Sequence, residues 1–196
     1  SNFLVSGLSS TWLGDDRYEF RLRDGNGTTD GLYPECEDTY IDSGSSTTNY
    51  DDETEMQISY STWPSETSVL FSCNLVANLL PSGYAVESAH LTAKLADYPS
   101  GSPNVAVWES RQHNWTAAGA TWATYDGVNN WGSAGAKGWE RGSLIDSLTI
   151  GSSYSAGDIV DWNVTLGVQN AMREDRAVDF QIGVTGVGTG GNRDIM

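Results

Sequence analysis

Basic residues are scarce: ten Lys and Arg, of which only Lys94 and Lys137 are lysines, stand against 26 Asp and Glu in 196 residues, for a formal charge of −16. So acidic a chain has no cationic surface to neutralise phosphates or hold anionic headgroups, and neither nucleic acid nor a membrane surface is expected as a partner. No apolar run approaches the roughly 18–20 residues that span a bilayer, so no membrane insertion is expected either. Histidine is almost missing. His90 and His113 are the only two, which leaves little from which to assemble a nucleophile, a base and an orienting group, and no second histidine stands at metal spacing. Cys36 and Cys73 are the only cysteines, and an even count allows one disulfide or two buried thiols without choosing between them. Residues 1–10 lack the basic-then-apolar pattern of a secretory leader, as in a mature or partial chain or one exported without a cleaved peptide.

What the chain has instead is Gly, Ser and Thr in quantity, with 8 Trp and 9 Tyr among its apolar positions. That mixture is poor for helix and good for short strands joined by turns. Period-two alternation recurs over residues 18–22, 39–42, 55–59, 68–73, 89–96, 104–109, 143–150, 159–164 and 177–184, with Gly, Pro, Asn and Ser between the bursts. Strands so spaced predict an all-β sandwich or barrel rather than a βαβ protein. The inward set is expected to include Ile41, Ile58, Phe71, Leu91, Leu95, Val107, Trp162, Val164, Phe180 and Ile182. One segment departs from the alternation: Leu166, Val168, Gln169, Ala171 and Met172 recur at helical spacing and predict a short helix over 165–175, with Thr165 as its N-cap. From Trp115 to Gly142 four tryptophans are spread among glycines, which predicts a long loop that buries its rings locally. Residues 1–35 read as an arm or linker and 36–196 as the sandwich domain.

The series Glu37-Asp38-Thr39-Tyr40-Ile41, Val69-Leu70-Phe71, Leu80-Pro81-Ser82-Gly83 with Val86-Glu87-Ser88-Ala89, Val105-Ala106-Val107-Trp108, Trp115-Thr116-Ala117-Ala118-Gly119-Ala120-Thr121-Trp122 and Asp161-Trp162-Asn163-Val164-Thr165 resembles, in order, the DNRLRE family of extracellular β-sandwich domains. The likeness covers residues 36–196. It implies a jelly-roll-like sandwich, a non-catalytic module of secreted, cell-surface and some viral proteins, related to carbohydrate-binding modules that include alginate-binding ones. It also places both cysteines in the central body, Cys36 just before the first strand and Cys73 closing another, where they are expected to bridge. The chain departs from the pattern in lacking the sequence that gives the family its name, in residues 1–35, and in stopping at Met196, where the sandwich is expected to continue.

Candidate site residues divide by chemistry. His90 alternates with Thr92 and Lys94 against Ala89, Leu91, Ala93 and Leu95, so it is expected to face solvent. His113, in a loop beside Trp115, is placed to touch a ligand. Asp51, Asp52 and Glu53 supply hard oxygens of the kind calcium takes, without the spacing of a calcium loop, so calcium is the one cofactor weighed and no other is expected. Aromatic rings stack on sugar faces. Trp108, Trp115, Trp122 and Trp162 fall within the strand pattern and are expected in the core, whereas Trp12, Trp63, Trp131 and Trp139 lie in turns or glycine-rich stretches and are the candidates for a ligand surface. Arg111 and Arg141 are the local cations that would let so acidic a chain hold an anionic glycan.

Together these features predict a non-catalytic carbohydrate-binding or adhesive module, extracellular or surface-exposed and part of a larger assembly, whose partner is a polysaccharide or neighbouring subunits. The alternative is a structural subunit, such as a virion decoration or fibre protein or a cell-surface scaffold. The strand over 177–184 is further expected to need a cover on one edge, from Tyr18–Leu22, another chain or residues beyond Met196, with Asp194-Ile195-Met196 running alongside it.

Overall fold

A computed structural model describes residues 36–53, 55–59, 65–73, 85–96 and 102–185, together with the backbone strands at 3–5, 8–14, 17–22, 186–188 and 193–195. The alternating segments are strands. In the body they are β4 (Cys36–Asp42), β5 (Met56–Ile58), β6 (Thr67–Cys73), β7 (His90–Lys94), β8 (Ser102–Ser110), β9 (Arg141–Thr149), β10 (Ile159–Asn163), β11 (Val178–Gly188) and β12 (Arg193–Ile195), preceded by β1 (Phe3–Val5), β2 (Leu8–Gly14) and β3 (Arg17–Leu22). All pairings are antiparallel, and the protein is all-β with one short helix.

A five-stranded sheet in the order β4-β6-β11-β8-β9 forms one layer. One face carries Val69 from β6, Val105 and Val107 from β8 and Phe180 and Ile182 from β11. Against them pack Val160 and Trp162 of the β10–β7 pair, Met56 and Ile58 of the β12–β5 pair, and Leu95, Val164 and Ala171. This is sheet-on-sheet burial, in which every second side chain leaves water. Of the ten residues expected inside, eight are buried; Phe71 and Leu91 are half-buried and pack against that same core. Cys36 stands opposite Cys73 in the β4–β6 register, with Cα atoms 4.1 Å apart, and the two form the disulfide.

The helix α1 (Thr165–Arg173) crosses the core at Gly167, where a Cβ would come within 2.7 Å of the Phe180 ring. Its N-terminus differs from expectation. Val164 is the cap residue, and Thr165 lies in the first turn, its hydroxyl accepting the Ala89 N–H at 2.9 Å while Asn163 Oδ1 accepts the Thr165 N–H at 3.1 Å. Thr165 therefore ties the helix to the segment entering β7 rather than capping it. At the C-terminus the Arg176 N–H reaches Ala171 O at 3.0 Å and the Asp175 N–H reaches Met172 O at 3.3 Å, the Schellman pattern. Asp175 occupies the left-handed position with φ +53°. Glycine adopts that conformation without a Cβ penalty, and the substitution also removes a negative charge from the helix C-terminus. D175G is therefore expected to stabilise the protein by about 0.5–1 kcal/mol, read as a raised melting temperature; a lower one would contradict this account of the cap.

Two expectations about the C-terminal region are overturned. β11 is the central strand of the five-stranded sheet, paired with β6 over Val178–Ile182 and with β8 over Phe180–Gly188, so it is not an edge strand. β12 pairs with β5 instead of lying beside β11. Tyr18–Leu22 forms most of β3 and pairs with β2 in a three-stranded sheet β1-β2-β3. The pairings of β11 with β6 and β8 and of β12 with β5 join segments far apart in sequence and leave no local mark on either strand, which is why alternation alone misassigned them. Among the described residues no helix is long and apolar enough to cross a membrane.

Candidate functional site

The second face of the five-stranded sheet is covered as well. Residues 111–140 lie over it, and Trp115, Ala117, Ala120, Trp131 and Ala136 close with Ile41 of β4 and Leu70 of β6 into a second core, with Trp122 and Tyr125 packed alongside. The long loop does bury rings locally, but it does so on the sheet. Irregular backbone must find partners for its polar groups, and here the sheet and its turns supply them. Asn49 Nδ2 donates to Ala117 O at 2.6 Å and Ala120 O at 2.8 Å, the Ala123 N–H donates to Ser46 O at 3.0 Å, and Glu37 Oε2 accepts the Ala117 N–H at 3.2 Å. At the exposed tip the Asp126 carboxylate accepts the N–H groups of Asn129 and Val128 and the Asn129 amide, and these bonds hold its pKa below the usual value.

Two side chains of β11 become buried anchors for this lobe. Asp179 Oδ2 lies 2.7 Å from His113 Nδ1, with the Asp179 side chain 1% exposed and the His113 ring 33%. Gln181 Nε2 donates to Gly135 O at 2.9 Å. Alternation marks both positions as solvent-facing, and only the lobe folding over them makes them interior. His113 thus fastens the lobe to the sheet, its imidazole oriented by a sealed carboxylate. Asp179 Oδ1, Glu140 Oε2 and Trp115 Nε1 are buried with no hydrogen-bond partner. The other Glu140 oxygen accepts the Gly132 N–H.

The last turn of the lobe displays its aromatic and cationic groups. Trp139 is 58% exposed, and its indole rests on Gly132, where a Cβ would stand 2.6 Å from Nε1. Any side chain at 132 would displace the ring. Trp108 and Trp122, expected in the core, are half-buried, and each carries a cation: the Arg141 guanidinium carbon is 4.3 Å from the Trp108 ring centroid and Lys137 Nζ is 5.1 Å from that of Trp122. Lys137 also pairs with Glu66. Burial lowers the pKa of Arg141, and the charge of Glu66 opposes that shift.

The sequence-derived candidates separate accordingly. Trp139 is on the surface and Arg141 beside it in sequence, half-buried; Arg111 is exposed. Trp131 is a core residue, 5% exposed, with its indole N–H donated to Thr121 O at 2.8 Å, because the glycines around it let the lobe close over the ring. Trp12 is in β2, its side chain outside the described residues, and Trp63 lies outside them altogether. Asp51, Asp52 and Glu53 form an exposed turn, and among the described residues no group of three or more His, Cys, Asp or Glu that could hold a metal converges. Asp42, at the end of β4, accepts the Gly44 N–H at 2.8 Å and caps a short turn. His90 is exposed as expected, 2.9 Å from Asp161. Trp115 and Trp162 are buried, as expected. Sequence reasoning passed over Asp179, Gln181 and Glu140. Glu140 had one local signal, its place at the end of the aromatic-rich loop, and Asp179 and Gln181 had none, reading as the polar half of an alternating strand.

No family model matches the chain, and no curated protein matches it either.

Proposed function

We propose that the protein is a non-catalytic glycan-binding or adhesive module, a jelly-roll-like sandwich akin to the DNRLRE domains, working on an extracellular or surface-exposed assembly. The observation that carries this reading is Trp139: a large flat ring, 58% exposed, seated on a glycine at the end of a lobe fastened to β4 and β11. A rigid ring loses little conformational entropy on binding, and its face suits the C–H surface of a pyranose.

Titration of the protein with a panel of neutral and acidic oligosaccharides, followed by calorimetry, tests the reading. At least one should bind, and W139A should weaken it by about tenfold or more while leaving the melting temperature near that of the parent. Equal binding by W139A, or no binding by any glycan, would overturn it. The structural-subunit reading has one observation in its favour, the separate three-stranded sheet formed by β1, β2 and β3. Oligomers that dissociate when residues 1–35 are deleted, with no glycan bound, would favour that second reading.

A further inference from the structure

Two arginines in the described region are half-buried, Arg141 and Arg176, and they are treated differently. Arg176 is paired with both Glu109 and Glu174. Arg141 has no carboxylate within ion-pair reach among the described residues, although the chain carries 26 Asp and Glu. Glu66, whose charge acts on it, is committed to Lys137. A desolvated guanidinium without a counter-ion is costly, and in so acidic a protein a partner would have been easy to supply.

The group is nevertheless held in one orientation. Its guanidinium carbon stands over the Trp108 ring, 4.3 Å from the centroid, and that ring in turn sits against Gly183, where a Cβ would be 3.6 Å from the indole. Arg141 Nε donates to Gln181 Oε1 at 3.0 Å. Gln181 is 1% exposed, and its amide nitrogen is committed to Gly135 O, so the amide cannot turn without losing both bonds. Nε is therefore used, and the two terminal nitrogens, Nη1 and Nη2, have no acceptor among the described residues and are not sealed from solvent. Two parallel N–H donors in a fixed fork match the two oxygens of one carboxylate.

We propose that Arg141, laid on Trp108 and anchored by Gln181, is the receptor for a carboxylate of the ligand. The site stands on the arginine and does not depend on Trp139. A free organic acid and the acid group of a sugar present the same chemistry to it. The pair of terminal donors would bind the carboxylate end-on, and the indole beneath would exclude water from one face of the ion pair.

Sodium acetate, sodium glucuronate and neutral glucose, titrated separately into the 15N-labelled protein, test this by NMR. Acetate and glucuronate should both move the Arg141 Nε–H and Trp108 Nε1–H resonances, glucose should leave them in place, and the acid response should weaken as salt is raised. Glucuronate binding tenfold or more tighter than acetate assigns the carboxylate to a sugar, and equal affinities assign it to a free acid; either outcome supports the receptor. R141K, which keeps the charge but loses the fork, should weaken both acids at least tenfold with an unchanged melting temperature. Acids that leave both resonances of the parent unmoved, or that bind R141K as they bind the parent, would overturn the proposal. A neutral glycan that still binds through Trp139 in R141K leaves the surface reading standing, so the two failures are distinguishable.

Discussion

Trp162→Ala is expected to remove about 3–5 kcal/mol from the stability of the fold. Trp162 sits in β10 at 0% exposure, in the cluster that joins the five-stranded sheet to the second layer, and its indole N–H donates to Val105 O at 3.3 Å across that boundary. Truncation loses the transfer free energy of the largest side chain in the core and leaves a cavity bounded by strands of both layers, which cannot collapse without moving a sheet. Val105 O would also be left without its indole donor. Since domains of this kind are stable by only about 5–15 kcal/mol, a loss of this size threatens the native state itself. Phe71→Ala is the useful contrast, for Phe71 is half-buried at the margin of the same cluster, and the smaller cavity it would leave implies a smaller loss than a central aromatic. Urea unfolding of the two variants side by side measures the difference. A Trp162→Ala loss below that of Phe71→Ala would mean that the core is not centred where the two layers meet.

The strands of the body were legible because their side chains obey period two over lengths that match real strands. Residues 39–42, 68–73 and 104–109 each fall within an observed strand, 177–184 overlaps β11 in all but its first residue, and the Thr165 helix stands out by its change of period. Legibility failed wherever one segment's environment is set by another. Asp179 and Gln181 alternate with Phe180 and Ile182 as solvent positions should, yet a loop more than forty residues away in sequence covers them. The same covering places Trp131 inside and leaves Trp108 and Trp122 at its border, which reverses or blurs the assignment of three tryptophans. Strand order shows the same limit: β11 pairs with β6 and β8, and β12 with β5, contacts that cost loop closure and are rewarded only in the assembled sheet.

The lobe is therefore where fold and proposed function meet. Its display of Trp139, and the setting of Arg141 where the lobe passes into β9, depend on bonds to two strands of one sheet, β4 through Glu37 and β11 through Asp179 and Gln181. β11 is held from both sides by β6 and β8. β4 is an edge strand of the sheet, paired there only with β6. An edge strand frays first unless something pins it.

Replacing both Cys36 and Cys73 by Ala should remove that pin, and the expected loss is about 3–4 kcal/mol, or a fall in melting temperature of roughly 10 °C for a chain of this size. The bond joins residues 37 apart in sequence, so cutting it restores considerable freedom to the unfolded chain. In the folded state it fastens the first residue of β4 directly across from the last residue of β6, next to Glu37, whose carboxylate receives the Ala117 N–H of the lobe. The double alanine variant should therefore lose more than global stability. Amide exchange at Ala117 should rise ahead of that at Phe180, because β4 and the lobe can open while the centre of the sheet stays closed. Reduction of the parent protein should reproduce both effects. Equal acceleration at Ala117 and Phe180 would show that the bond acts only through the unfolded chain, and an unchanged melting temperature would show that the β4–β6 ladder holds the edge without it.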